Sequence, residues 1–208
     1  MHEPAPAMLD AASLHAALAR WCDALEAAAP ELNALDGRLG DGDLGTTLSK
    51  CAANVRELLA APPASVESVL KACAQACARA SGSSFGTLLA VGFLTAAKTV
   101  GPREALDRDA LVEVLAAVQQ ALAQRGGAAL GDKTMLDSLA AITGALRACD
   151  AGAGPQALKD AAQRAATSAL DVFRQLPNRI GRARMFAERS IGLDDPGMVA
   201  VKRMALAL

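Results

Sequence analysis

The sequence predicts an all-α, single-domain helical bundle, and three observations carry that prediction. Alanine is abundant and β-branched residues are sparse, a composition that favours helix over sheet. Four Phe, one Trp and no Tyr leave little aromatic surface to cover a sheet face. Apolar residues recur at three- and four-residue spacing in segment after segment, with no strand-like alternation between them. The chain of 208 residues suits one domain spanning 1–208. It is 52% hydrophobic and 21% charged, the balance of a globular chain rather than a disordered one.

Leu14, Leu18, Trp21 and Leu25 place an amphipathic helix over 8–29. A glycine-rich break at 37–45 follows. Leu48, Ala52, Val55 and Leu59 carry the second helix, which Pro62-Pro63 stops. Val66, Val69, Leu70, Cys73 and Cys77 mark the third. Ser81-Gly82-Ser83-Ser84 forms a loop before an apolar helix over 85–100, broken by Gly101-Pro102. Leu111, Val114, Leu115, Val118 and Leu122 stripe a helix over 109–124. Met135, Leu136, Leu139, Ile142 and Leu146 stripe another over 133–149, and Leu158, Ala162, Leu170 and Phe173 a third over 156–176. The arginine-rich stretch 177–194 has no clear period. The last helix begins at Asp195-Pro196, an N-cap followed by proline in the first helical position. About eight helices result, with no internal repeat.

Several function classes are excluded by composition. The net charge is −1 and no basic run supplies the electrostatic footprint of a nucleic-acid binder. No apolar stretch is long enough to span a bilayer. Met1-His2-Glu3-Pro4 lacks the pattern of a signal peptide, so a cytoplasmic protein is expected. The five cysteines are odd in number and read as small buried hydrophobes. With only His2 and His15 in the chain, a Cys/His zinc site is hard to build.

The breaks between helices are unusual. The string from Asn33 to Thr47 contains Asp36, Asp41 and Asp43 among glycines. Gly40 to Gly45 matches a dinucleotide fingerprint in form, but no strand precedes it and bare carboxylates repel a pyrophosphate. An EF-hand fails because Ala52 stands where its last ligand should be Glu. Three carboxylates do suit Mg²⁺, a hard cation often completed by substrate phosphates. Ser81-Gly82-Ser83-Ser84, at a helix start, suits an anion. Gly126 to Met135 looks like a P-loop with one residue too many before Lys133, so a Walker A motif is rejected and Asp132 reads as a helix cap. The fourth break pairs Gly181-Arg182-Ala183-Arg184 with Asp194-Asp195-Pro196-Gly197, where arginine can fork onto phosphate.

Taken together, Leu32-Asn33-Ala34-Leu35-Asp36, Gly40-Asp41-Gly42-Asp43, Gly131-Asp132-Lys133-Thr134-Met135 and Asp195-Pro196-Gly197 resemble the L subunits of dihydroxyacetone kinases, from about residue 10 onward. The resemblance implies an antiparallel eight-helix barrel with a nucleotide, ATP or ADP, capping one end. It implies that Asp36, Asp41 and Asp43 hold two Mg²⁺ ions, and that Leu44, Gly45, Thr46 and Thr47 meet phosphate. Ala80, Ser81, Gly82, Gly126 and Thr134 become nucleotide contacts, Met135 packs on adenine, and Arg182 with Asp195, Pro196 and Gly197 contributes from the last loop. The implied activity is phosphoryl transfer to a short ketose such as dihydroxyacetone, held on a separate sugar-binding K subunit in a hetero-oligomer. Leu44 and Thr47 depart from members fed by a phosphohistidine protein, which have His and Asn there. ATP is therefore the expected donor. A phosphotransferase-fed subunit with fixed ADP and a regulatory module binding a transcription factor are the alternatives.

Overall fold

The computed structural model describes residues 9–80 and 83–208. Eight α-helices are present among them: α1 Ala11–Leu39, α2 Leu44–Leu58, α3 Val66–Arg79, α4 Ser84–Val100, α5 Arg108–Gly126, α6 Met135–Ala148, α7 Pro155–Phe173 and α8 Pro196–Leu206. Each packs on the next in sequence, and α8 returns to α1 to close the ring. Short connections make neighbours antiparallel from α1 to α7, and a longer segment leads from α7 into α8. The all-α expectation therefore holds, with one addition. Leu9–Asp10 (β1) and Ala105–Leu106 (β2) form a two-residue antiparallel pair that ties the start of the chain to the α4–α5 connection.

Two boundaries that differ from the sequence reading change where site residues lie. The first helix does not stop near residue 29 but runs through Pro30 to Leu39. Proline removes one backbone donor there, yet Leu32 beyond it is fully buried and the helix continues on that anchor. Asn33 and Asp36 thus lie on a helix rather than in a loop. At the other changed boundary, α6 begins at Met135, capped by Thr134 in a capping box with Asp137. Asp132 instead accepts from the Ala129 amide at 2.8 Å, closing the preceding turn, and Lys133 stands outside the helix.

The core has two continuous parts. One joins α1 to α4 through Leu25, Leu48, Val55 and Val66 and reaches Met198 of α8. The other joins α5 to α7 through Leu122, Leu146 and Leu158 and reaches Val201. Trp21 meets Phe93 edge to face, with ring centroids 5.9 Å apart. Cys22, Cys51, Cys73 and Cys77 are buried in the first part. Burial pushes the Cys22 thiol up to about 11 and that of Cys73 up to about 12, so both remain neutral packing groups.

Helices α1 and α2 approach closely at Gly45. A Cβ added at Gly45 would lie 2.0 Å from the Ala29 carbonyl oxygen. Gly45→Ala must push the two helices apart, and we expect a loss of about 2–3 kcal/mol, measurable by urea denaturation.

Residues 174–195 join α7 to α8 with only two 3-10 turns, Arg182–Phe186 and Glu188–Ser190. Their order comes from buried polar contacts. Lys133 is fully buried with a left-handed backbone (φ 61°). Its Nζ donates to the carbonyls of Leu176 at 2.7 Å, Ser190 at 2.8 Å and Arg174 at 3.3 Å. Asn178 donates through Nδ2 to the Lys133 carbonyl at 2.9 Å and to Asp195 Oδ2 at 2.8 Å. Arg174 forks onto Asp194 at 2.6 and 3.2 Å. Such a segment has no hydrophobic period because its anchors are polar.

Candidate functional site

In an antiparallel ring every even-numbered helix starts at the same end. Leu44, Ser84, Met135 and Pro196, the first residues of α2, α4, α6 and α8, all line one cleft of about 590 Å³ at that end. Four positive helix termini therefore face a common space, which favours an anion.

The cleft has a charged wall and an apolar wall. On the charged wall, one oxygen from each of Asp36, Asp41 and Asp43 lies within 4.8 Å of the others. Asp36 sits on the last turn of α1, and its Oδ2 accepts from the amides of Asp43 at 2.9 Å and Leu44 at 3.2 Å. Gly42 takes a left-handed φ of +78°, which turns the chain between Asp41 and Asp43. A Cβ at Gly40 would lie 2.6 Å from Asp36 Oδ1, so glycine leaves that oxygen its space. Arg182, from the first 3-10 turn, pairs with Asp41. Three hard oxygen donors converging at a surface cleft fit Mg²⁺ or Mn²⁺.

Phe85, Leu88 and Met135 form the apolar wall, with Pro196 and Gly197 beside them. A Cβ at Gly197 would approach Phe85 Cε2 to 3.3 Å and Asp195 Oδ1 to 3.1 Å, so only glycine keeps this wall flat. Asp195 caps α8, accepting from the Met198 amide at 2.9 Å. Burial pushes its carboxyl up to about 6, against the pull of the Met198 amide, the Asn178 amide group and the nearby Lys133 charge. Burial likewise lowers Lys133, opposed by Asp195 and Asp194. Lys133 faces carbonyls in the interior, not the cleft.

The fold thus brings Asp36, Asp41, Asp43, Leu44, Thr134, Met135, Arg182, Asp195, Pro196 and Gly197 to one cleft. Gly45 packs on α1, Thr47 and Ala80 are buried, and Thr46 is bonded to Asn33. Gly126 ends α5, and a Cβ there would be 3.8 Å from Leu88 Cδ2. None of these five is among the cleft-lining residues. Ser81 and Gly82 lie outside the described residues. Leu39, Leu88, Ile180 and Met185 line the cleft without any signal in the sequence, because each reads there as an ordinary apolar residue. No helix among the described residues is long and apolar enough to cross a membrane.

Comparison with known proteins places the chain in a family. The family model of the DAK2 domain matches residues 38–208. The chain is 34% identical to L-erythrulose 1-kinase of Mycolicibacterium smegmatis over 182 residues, covering 86% of this chain and 32% of that protein. It is 34% identical to human triokinase/FMN cyclase over 200 residues, covering 92% of this chain and 33% of that protein. It therefore spans about a third of the length of these relatives. By contrast, the PEP-dependent dihydroxyacetone kinase ADP-binding subunit DhaL of Escherichia coli is 29% identical over 189 residues, and the match covers 90% of each chain. The crystal structure of the dihydroxyacetone kinase from C. freundii in complex with AMP-PNP and Mg²⁺ superposes with a TM-score of 0.73 at 25% identity, covering 98% of this chain and 34% of that one. With its eight-helix ring and acidic cleft, the chain belongs to the DAK2 domain family and is a DhaL-like, L-type domain of the dihydroxyacetone kinase kind.

Proposed function

We propose that this chain is the nucleotide-binding unit of an ATP-dependent kinase acting on dihydroxyacetone or a related short ketose. The observation that carries the reading is the meeting of three carboxylates, Arg182 and four helix N-termini at one cleft with an apolar wall. Asp36, Asp41 and Asp43 hold two Mg²⁺ ions, which supply Lewis-acid neutralisation of the phosphates when bound. The helix termini orient the phosphate oxygens, Met135 and Phe85 pack on the base, and Arg182 adds charge where it develops on the moving phosphoryl group. The kinase names of the relatives and the Mg²⁺–AMP-PNP complex of the structural neighbour support this assignment.

The ketose sits on a partner. His15 is not among the cleft-lining residues, so no histidine among the described residues is placed there to hold a sugar covalently, and the E. coli relative, matched over 90% of its own chain, is named as an ADP-binding subunit. A separate sugar-binding K subunit in a hetero-oligomer follows from this reading. Leu44 in the cleft, where phosphohistidine-fed members have His, favours exchangeable ATP over fixed ADP.

The test is a coupled assay of the purified chain with dihydroxyacetone and Mg-ATP, with and without a dihydroxyacetone kinase K subunit. Turnover only when the K subunit is present is expected. Full turnover by the chain alone would overturn the partner assignment. Turnover only with a phosphohistidine donor would establish the fixed-ADP reading.

A further inference from the structure

We propose that Asn33 is a positioning residue that keeps Asp43 free for a divalent cation. The inference rests on the metal reading of Asp36, Asp41 and Asp43 above.

Asp43 is the N-cap of α2. An aspartate there ordinarily turns its carboxylate back onto the amide two or three residues on. Asp10, Ser65, Asp107, Thr134 and Asp195 all do this at their own helices, each from an extended backbone. Asp43 does not: it makes no side-chain cap, and its backbone lies at φ −110°, ψ 0°.

The reason is that α1 caps α2 in its place. Asn33 Oδ1 accepts from the Thr46 amide at 3.0 Å, the third helical amide and the one Asp43 would cap. Asn33 Nδ2 donates to Thr46 Oγ1 at 3.1 Å, which locks the pair. One turn along the same face, Asp36 takes the amides of Asp43 and Leu44. With the Thr46 amide already satisfied, the Asp43 carboxylate has no partner in its own helix and can lie with Asp36 and Asp41.

Removing the Asn33 amide group reverses that competition. In Asn33→Ala the Thr46 amide is exposed, and Asp43 turns inward to cap it. A cap of ordinary strength, set against cation binding, corresponds to about a fivefold loss of cation affinity. The stability of the helix start is largely kept, because one cap replaces another. A merely structural Asn33 would instead lower the thermal midpoint without a specific link to Asp43.

The experiment titrates the full chain with Mn²⁺ alone, reading free Mn²⁺ by electron paramagnetic resonance, with thermal midpoints measured in parallel. The variants are Asn33→Ala, Asp43→Ala, the double variant and Asn33→Asp. We expect Asn33→Ala to bind Mn²⁺ about fivefold more weakly than wild type. The double variant should bind like Asp43→Ala, since no carboxylate remains to divert. Asn33→Asp, whose carboxylate still accepts from the Thr46 amide, should bind at least as tightly as wild type. Wild-type affinity in Asn33→Ala would overturn this inference alone, as would an equal further loss on adding Asn33→Ala to Asp43→Ala. Absence of Mn²⁺ binding by the wild-type chain would overturn the metal reading as well.

Discussion

Asp41→Ala is expected to abolish Mg²⁺-dependent nucleotide binding. Asp41 supplies one of three oxygens that lie within 4.8 Å of one another, and it also anchors Arg182. Its loss removes a ligand and leaves Arg182 free to pair with the two remaining carboxylates, so both changes act against the cation. Groups that merely orient a metal ligand cost about 10- to 100-fold in metal affinity when removed, and a direct ligand should cost at least the upper figure. Calorimetric titration with ATP and Mg²⁺, repeated in EDTA, measures it. The wild-type chain should bind only with Mg²⁺ present, and Asp41→Ala should show little heat in either condition. Equal binding by the variant would remove the acidic cluster from the nucleotide site.

Lys133→Met should give the largest loss of stability. The ammonium is fully buried and satisfies three carbonyls of the segment between α7 and α8. Methionine has similar length but no donors, so Arg174, Leu176 and Ser190 would each lose one partner in the interior. We expect a cost of about 3 kcal/mol, read by urea denaturation, with proteolytic nicking around residues 179–190 as the local signature. The same variant separates two roles for this lysine. A lysine that touched phosphate would lose nucleotide affinity with little loss of stability. One that staples the loop loses stability first, and loses affinity only because Arg182 is no longer held near Asp41.

Two parts of the chain resisted a reading from sequence for different reasons. The segment 177–194 has no hydrophobic period, and its order comes from Lys133 and Asn178, which lie far apart in the chain and are buried by polar contacts. Asn33 is legible as part of a string but not as a cap, since its partner Thr46 belongs to another helix. Asp132 misled for a related reason. It is a good cap by residue type, but Thr134, two residues later, has both the extended backbone and the Asp137 partner of a capping box.

What the sequence determined by itself was local. Apolar residues at helical spacing define the α-helices, Gly and Pro punctuate them, and Asp36, Asp41 and Asp43 stand out because carboxylates clustered among glycines have few uses other than a hard cation. Tertiary structure decided what depends on the ring. Antiparallel packing brings the starts of α2, α4, α6 and α8 to one cleft, the close approach of α1 and α2 at Gly45 sets Asp36 beside Asp43, and burial turns Lys133 from a phosphate-ligand lookalike into a staple. The physical reason is the same in each case. Helix formation is decided by neighbours within a few residues, whereas convergence, capping between helices and desolvation depend on groups that only folding brings together.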